Sequence, residues 1–399
     1  MEEKPKIKVE FIALMASLMS MVALSIDALL PALPKIGESC GIYDTSQHQL
    51  LITMIFLGLG FGQLIFGPLS DSFGRKPMVY IGFLVFIIGS ILCVSTTSFE
   101  LMITGRILQG IGLSSPRTIS IAMIRDSFSG NYMAKILSIV VMFFILVPIV
   151  APSLGQLILE LSDWTTIFNF NLVFGLIIVI WFWKRQPETL VKEKRIAYKP
   201  SIFITGTYEF CKYKRSVAFT LVSGFITGSF MVYLSTSQHI FQIQYQLGEL
   251  FPYIFASSAF AVGFATFSNS QLVLRFGSYN IAFTASIAYF LISLLYVVMF
   301  SSGENPSLTI LVTFFLMQFF AVGFLFGNLR SLAMEPLGHI AGIGSALNGF
   351  ISTVIAVPIA NYIGGFVDTS ALPLFIGFTF FGLLSVLVFA VLKLKRFRQ

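Results

Sequence analysis

Apolar stretches of about 20 residues recur from one end of this 399-residue chain to the other and consume most of it. A helix of that length crosses the hydrocarbon of a bilayer, where only helices and closed barrels satisfy their own backbone groups. The stretches fall near residues 10–30, 48–69, 78–97, 101–124, 134–159, 164–183, 216–236, 250–273, 280–300, 307–330, 341–363 and 372–392, which predicts an all-α membrane protein with twelve transmembrane helices. Composition excludes the soluble alternative. Hydrophobic residues make up 56% and charged residues 11%, against about 25% charged in an average soluble domain, so a water-soluble fold could not hide its apolar surface. The first stretch follows a basic start (Lys4, Lys6, Lys8) and carries no small-residue cleavage site after it, so it reads as a retained helix.

The cysteines Cys40, Cys93 and Cys211 stand at unrelated positions, and His48, His239 and His339 fall near helix ends or in loops. Neither a disulfide framework nor a metal site is expected. No HExxH, serine-triad or clustered-carboxylate pattern occurs, so the chain is not read as an enzyme, and no cofactor is called for. Its net charge of +7 raises nucleic acid as a partner, but the distribution of the charge argues against it. With the N-terminus in the cytoplasm, that side receives Arg75, Lys76, Arg125, Lys135, Arg275, Arg330, Lys393, Lys395, Arg396, Arg398 and the cluster between the sixth and seventh spans, while only Lys35 falls in an outer loop. This is the positive-inside pattern, and an even number of spans puts both termini inside.

The longest polar stretch, Lys184 to Arg215, carries nine basic residues and divides the chain into an N-terminal half (1–183), a cytoplasmic linker (184–215) and a C-terminal half (216–399). A weak internal repeat supports the division. GLGFGQLIFGPLSDSFG (58–74) lies over AVGFATFSNSQLVLRFG (261–277), and VPIVAPSLGQ (147–156) over VPIANYIGGF (357–366). Two parallel six-helix repeats form the pseudo-symmetric architecture in which a substrate binds near the midplane and the halves rock around it.

The most specific string is GPLSDSFGRKP (67–77), in the turn between the second and third spans. Gly67 is expected to let another helix approach, Asp71 to face the N-terminal end of the eleventh span (Gly342, Gly344), Gly74 to make the turn, and Arg75 with Lys76 to anchor it. Together they would form a cytoplasmic gate. In the fourth span, RILQGIGLSSPR (106–117) places Arg106 within the membrane, where a charge costs at least about 2.5 to 3.5 kcal/mol. Asp27 is the one acid well inside a span, at comparable depth, so an ion pair with Arg106 is expected. Such a pair either serves proton coupling, since its proton affinity changes when the partner leaves, or ties two helices together. Gln109, one turn from Arg106, could hold it by a hydrogen bond. Arg117 faces the same way as Arg106, either lining a substrate cavity with Gln109 or reaching toward the cytoplasm. In the fifth span Pro148, Pro152 and Gly155 would bend the helix. The 44 phenylalanines are expected mainly against lipid and other helices.

Taken together, LSIDALLPALP (24–34), GQLIFGPLSDSFGRKP (62–77), RILQGIG (106–112), IRDSFSG (124–130), VPIVAPSLG (147–155), DWTTIF (163–168), PETL (187–190) and MEPLGHIAGIGSALNGF (334–350) resemble the drug-resistance exporters of the Bcr/CflA family, within the major facilitator superfamily. The resemblance implies a major facilitator fold and a drug:proton antiporter, with Asp27 at the acidic position of the first helix and Arg106 at the arginine position of the fourth. It also implies that Pro148, Pro152 and Gly155 mark the antiporter branch. The chain departs from the pattern at Ser72, Ile121 and Gln156, and Arg117 stands one turn before the usual second arginine. The expectation is multidrug efflux of lipophilic or zwitterionic compounds across a bacterial inner membrane by alternating access, or dedicated export of an endogenous metabolite such as a siderophore or amino-acid derivative by the same machinery. The expected partners are a small-molecule substrate, protons and membrane lipids, with no nucleic acid, and the expected state is a monomer.

Overall fold

The computed structural model describes residues 9–396 apart from 129, 198 and 200; Lys4, Lys6, Lys8 and Arg398 lie outside them. The described residues form helices α1 (Val9–Asp27), α2 (Leu33–Ser39), α3 (Thr45–Phe73), α4 (Arg75–Ser95), α5 (Phe99–Ser127), α6 (Gly130–Leu161), α7 (Trp164–Arg185), α8 (Ser201–Lys212), α9 (Lys214–Gln238), α10 (Phe251–Phe276), α11 (Ser278–Met299), α12 (Leu308–Met334), α13 (Ala341–Gly364) and α14 (Leu372–Arg396), with no strand among them. Every expected span has its helix. The helices overrun the apolar windows because the backbone ladder continues into polar residues at either end, as in α3, which begins at Thr45 rather than 48. Ten of them are long and apolar enough to cross a membrane. The other two are α5, whose 29 residues carry Arg106, Gln109, Arg117, Arg125 and Asp126, and α6, whose apolar part is the shorter Leu146–Leu161.

Two short helices were not visible as apolar windows. After α1 stops at Asp27, Pro31 starts a 3₁₀ turn, Leu30–Ala32, that leads into α2. Proline has no N–H to continue the α-helical ladder. The second, α8, lies in the basic stretch and turns Gly206 and Phe210 onto Ile343 of α13. Asp163 begins α7 as its cap. The Thr165 hydroxyl and the Thr166 N–H donate to its carboxylate and hold that carboxyl below its usual range.

Packing repeats along the chain. In the first set, α5 lies against α1, α3 and α4, and α1 also packs on α6 and α7; in the second, α12 lies against α9, α10 and α11, and α9 also packs on α13 and α14. The pairings correspond when α1, α3, α4, α5, α6 and α7 are matched to α9, α10, α11, α12, α13 and α14. The sets meet along α3 with α13 and along α6 with α10, two seams that this matching interchanges. Along the first seam Gln49 Nε2 donates to Gly364 O at 3.1 Å and Thr53 Oγ1 to Asn361 Oδ1 at 2.7 Å.

Phenylalanine proves to be core as well as surface. In the second set Tyr233, Phe255, Phe315, Phe319, Tyr296 and Phe375 stack on one another, with Tyr296 and Phe375 centroids 3.7 Å apart. Outward-facing side chains such as Leu274 (90% exposed), Val298 and Phe260 form the apolar exterior that a bilayer would cover.

Candidate functional site

Arg106 is fully buried in the middle of the first set. Its Nε donates to Leu51 O on α3 at 2.8 Å, and its Nη1 to Ser25 O on α1 at 3.2 Å and to Gln109 Oε1 at 2.8 Å. Gln109 Nε2 in turn donates to Ser90 Oγ on α4 at 2.9 Å, and the guanidinium lies 5.9 Å from the centre of the Phe168 ring on α7. One arginine thereby ties α5 to α1, α3, α4 and α7. The expected ion pair with Asp27 is not formed. Arg106 reaches α1 two residues earlier, and it takes a backbone carbonyl instead of the carboxylate. Its Nη2 has no hydrogen-bond partner among the described residues.

Asp27 is the last residue of α1, 4% exposed, and its carboxylate has no hydrogen-bond or ion-pair partner among the described residues. Gly155 of α6 packs beside it. A Cβ at Gly155 would collide with the carbonyl oxygen of Ala28, so glycine is what permits α6 to approach the broken end of α1. Pro148 and Pro152 lie inside α6, within two turns of that contact. Arg117 is partly buried on α5, away from the Arg106–Gln109 group. Gln109 is 1% exposed and is held inside the first set between Arg106 and Ser90, so it faces α4 and not an open cavity.

The turn from α3 to α4 is a charged cluster. Gly74 has φ +105°, a conformation that disfavours side chains. Arg75 is 3% exposed and donates to Asp71 Oδ1 at 2.6 Å, Ser70 Oγ at 2.7 Å and Asp126 Oδ2 at 2.8 Å. It is thus an internal tie between α3, α4 and α5, not an anchor at the surface. Lys76 Nζ donates to Trp183 O at 3.4 Å. Asp71 Oδ2 lies 3.6 Å from where a Cβ on Gly342 would sit, so it does face the first turn of α13. A Cβ at Gly67 would lie 4.0 Å from Ala346 Cβ, an ordinary contact, so that glycine is not required by close approach.

Two residues of this cluster carried no role in the sequence reading. Asp126 accepts from Arg75 and from Thr189 Oγ1 at 3.2 Å. Glu188 accepts from the N–H groups of Arg75 and Lys76 at 3.1 Å each, capping α4. The strings IRDSFSG and PETL contain them, and only the fold brings them together. Ile196 N also donates to Asp71 O at 3.1 Å, so the stretch after α7 lies along this turn.

A family model described as the Major Facilitator Superfamily matches residues 14–360. The chain is 29% identical over 369 residues to an uncharacterized MFS-type transporter, YdgK, of Bacillus subtilis, covering 90% of each. It is 26% identical to the bicyclomycin resistance protein homolog of Haemophilus influenzae, covering 92% of each. Among solved structures it resembles the human organic anion transporter MFSD10 (TETRAN) with a TM-score of 0.71 at 18% identity, covering 98% of this chain and 100% of the other, a likeness of fold alone.

Proposed function

The chain belongs to the Major Facilitator Superfamily, and from that premise we propose that it is a proton-coupled antiporter that exports small lipophilic or zwitterionic compounds from a bacterial cell. The observation that carries the coupling is Asp27, an acid buried without a counter-charge where α1 breaks and Gly155 of α6 packs. An ionisable side chain held inside a membrane bundle is a functional position by its rarity, and at this junction it can exchange a proton when water or a cationic group reaches it. Export draws support from the relative named for bicyclomycin resistance, matched over nearly its whole length.

The end of the bundle that holds Asp71, Arg75 and the 184–215 stretch is cytoplasmic in this reading, because basic residues gather there. Residues 1–183 and 216–399 then move as two bodies about the α3–α13 and α6–α10 seams. The Asp71–Arg75–Asp126 cluster stiffens the first body's cytoplasmic end against α13, and the prolines of α6 supply a bend next to the second seam. The protein works as a monomer in the inner membrane, with both termini inside.

Purified protein reconstituted in liposomes, or cells of a pump-deficient host challenged with a drug panel, provide the test. Asp27→Asn is expected to abolish efflux driven by a pH gradient while elution on size exclusion stays unchanged. Full gradient-driven efflux by that variant would sink the coupling role.

A further inference from the structure

The first set of helices carries a groove of about 580 Å³. It is lined by one face of α1 from Val9 to Leu24, one face of α6 from Ile139 to Leu154, and Phe170 and Phe174 of α7. Among the described residues none of the second set lines it, so it is not the space between the two bodies. Phe143, Leu146 and Val150 on its α6 side are exposed, so it opens on the apolar exterior that a bilayer covers. Each long wall rises about 22 Å at 1.5 Å per residue. The rings of Phe170 and Phe174 lie parallel with centroids 6.2 Å apart and make a flat third wall. At the Leu24 end the groove is blind, because just beyond Leu154 the contact of Gly155 with Ala28 brings α6 onto α1. At the Val9 end stand polar groups: Glu10 accepts from Trp181 Nε1 at 3.2 Å and from Arg185 Nε at 2.6 Å. The matching helices of the second set are packed differently. A Cβ at Gly224 of α9 would lie 2.9 Å from Ile355 Cβ of α13, and one at Gly228 would lie 3.0 Å from Ile359 Cβ. Phe225 of α9 also meets Phe381 of α14, with centroids 5.3 Å apart. The fold can therefore bring these helices together, and the first set holds them apart.

A groove facing hydrocarbon does not stay empty, since walls that face a void forfeit their dispersion contacts. Its described lining is apolar apart from Ser17 and Ser20, and Ser17 Oγ donates to Ala13 O of its own helix at 2.8 Å. What fits is a slender apolar chain with a polar group at one end. The polar group lies level with Glu10, Trp181 and Arg185, where a tryptophan and charged side chains suit the membrane interface. Half of a hydrocarbon core of about 30 Å is about 15 Å, so a chain entering there reaches the level of Ser20 and Val147 and stops short of the blind end. We infer that this groove is a binding site for one acyl chain of a membrane phospholipid, taken from the leaflet at the Glu10–Arg185 end. Lipid tails are as apolar as leucine, so the chain is held by shape and packing and not by escape from water. Val147 and Ala151, which line the groove, flank Pro148 and Pro152, so the bound chain braces α6 beside its prolines. The site stands apart from the transport reading, since it lies within one body and on its outside.

The test uses full-length protein in vesicles of phosphatidylethanolamine and phosphatidylglycerol with a trace of photoactivatable phosphatidylethanolamine. One form of the probe carries a diazirine at the end of an acyl chain, the other close to the ester, and cross-links are mapped by mass spectrometry. The chain-end probe is expected to label around Ser20 and Val147, and the ester-side probe around Ala13 and Ile139. Each should exceed by about fivefold or more the labelling at Val298 and Phe260, which face the exterior elsewhere. Ala13→Phe combined with Ser17→Phe fills the groove and should bring labelling at Ser20 and Val147 down to the level of Val298, with elution on size exclusion unchanged. Ser17→Leu alone should lower it part of the way and keeps the test open if the double variant fails to fold. Labelling in the groove no greater than at Val298, or labelling that persists in the folded, filled variants, overturns the site. So does the same depth pattern with both probes, the mark of lipid passing along an open face. Loss of the label on adding tetraphenylphosphonium, a compact lipophilic cation without a chain, would give the groove to cargo. Absence of label together with elution as a dimer would give it to a second copy, and either result overturns the lipid assignment.

Discussion

A guanidinium presents five N–H donors, and at Arg106 the acceptors that meet them are carbonyls of α1 and α3 and the Gln109 amide. Such a residue is a fixed strut, and the proposed function accordingly assigns the mobile proton to Asp27. The sequence carried the depth of both groups, because spacing along a helix translates directly into rise. It did not carry azimuth: Ser25 and Asp27 are about 200° apart around α1, and nothing in one chain's spacing tells which of them a neighbouring helix will meet. Gly155 was legible as part of a bending motif, whereas its use as the contact with Ala28 was not. Gly155→Ala should force α6 away from α1 at a cost of roughly 1–3 kcal/mol, read as a lower thermal midpoint together with reduced efflux. A variant with native stability and native efflux would show that the approach of the two helices is not needed.

At the scale of the helix, α4 starts without a capping side chain of its own and borrows one from more than a hundred residues away. Glu188 supplies both carboxylate oxygens to the first N–H groups of α4, a contribution of about 0.5–2 kcal/mol by analogy with local caps. Glu188→Ala should therefore raise hydrogen exchange at the Arg75 and Lys76 amides by roughly twofold to thirtyfold, while the middle of α4 exchanges as before. Unchanged exchange at those two amides would mean that water caps the helix equally well. The twelve long helices were readable because each announces itself by an apolar run; α8 was not, since its twelve residues mix Phe203 and Phe210 with Thr205, Glu209 and Lys212 and bury only one face. Capping by Glu188 was hidden for a related reason, as a contact between distant segments leaves no periodic trace in either.

Across the whole molecule the internal repeat, faint as a handful of matched glycines and prolines, becomes a full correspondence of helix pairings. Packing preserves a relation that side-chain identity has largely lost. Of the two seams, α3–α13 is pinned by Thr53 and Asn361 toward the end remote from the Asp71–Arg75 turn. In a chain freed of Cys40, Cys93 and Cys211, the pair Thr53→Cys and Asn361→Cys should cross-link under oxidant and arrest transport, and a reductant should restore it. Complete cross-linking with undiminished transport would show that this end of the seam never parts. The stretch after α7 sets a different limit. It is fastened to the first body at Ile196, through Asp71, and to the second at α8, through Ile343. Only five links of chain join Ile196 to Ser201, a span of at most about 18 Å when fully drawn out. While both fastenings hold, that segment is a leash, and its length limits how far the two sets of helices can part at this end.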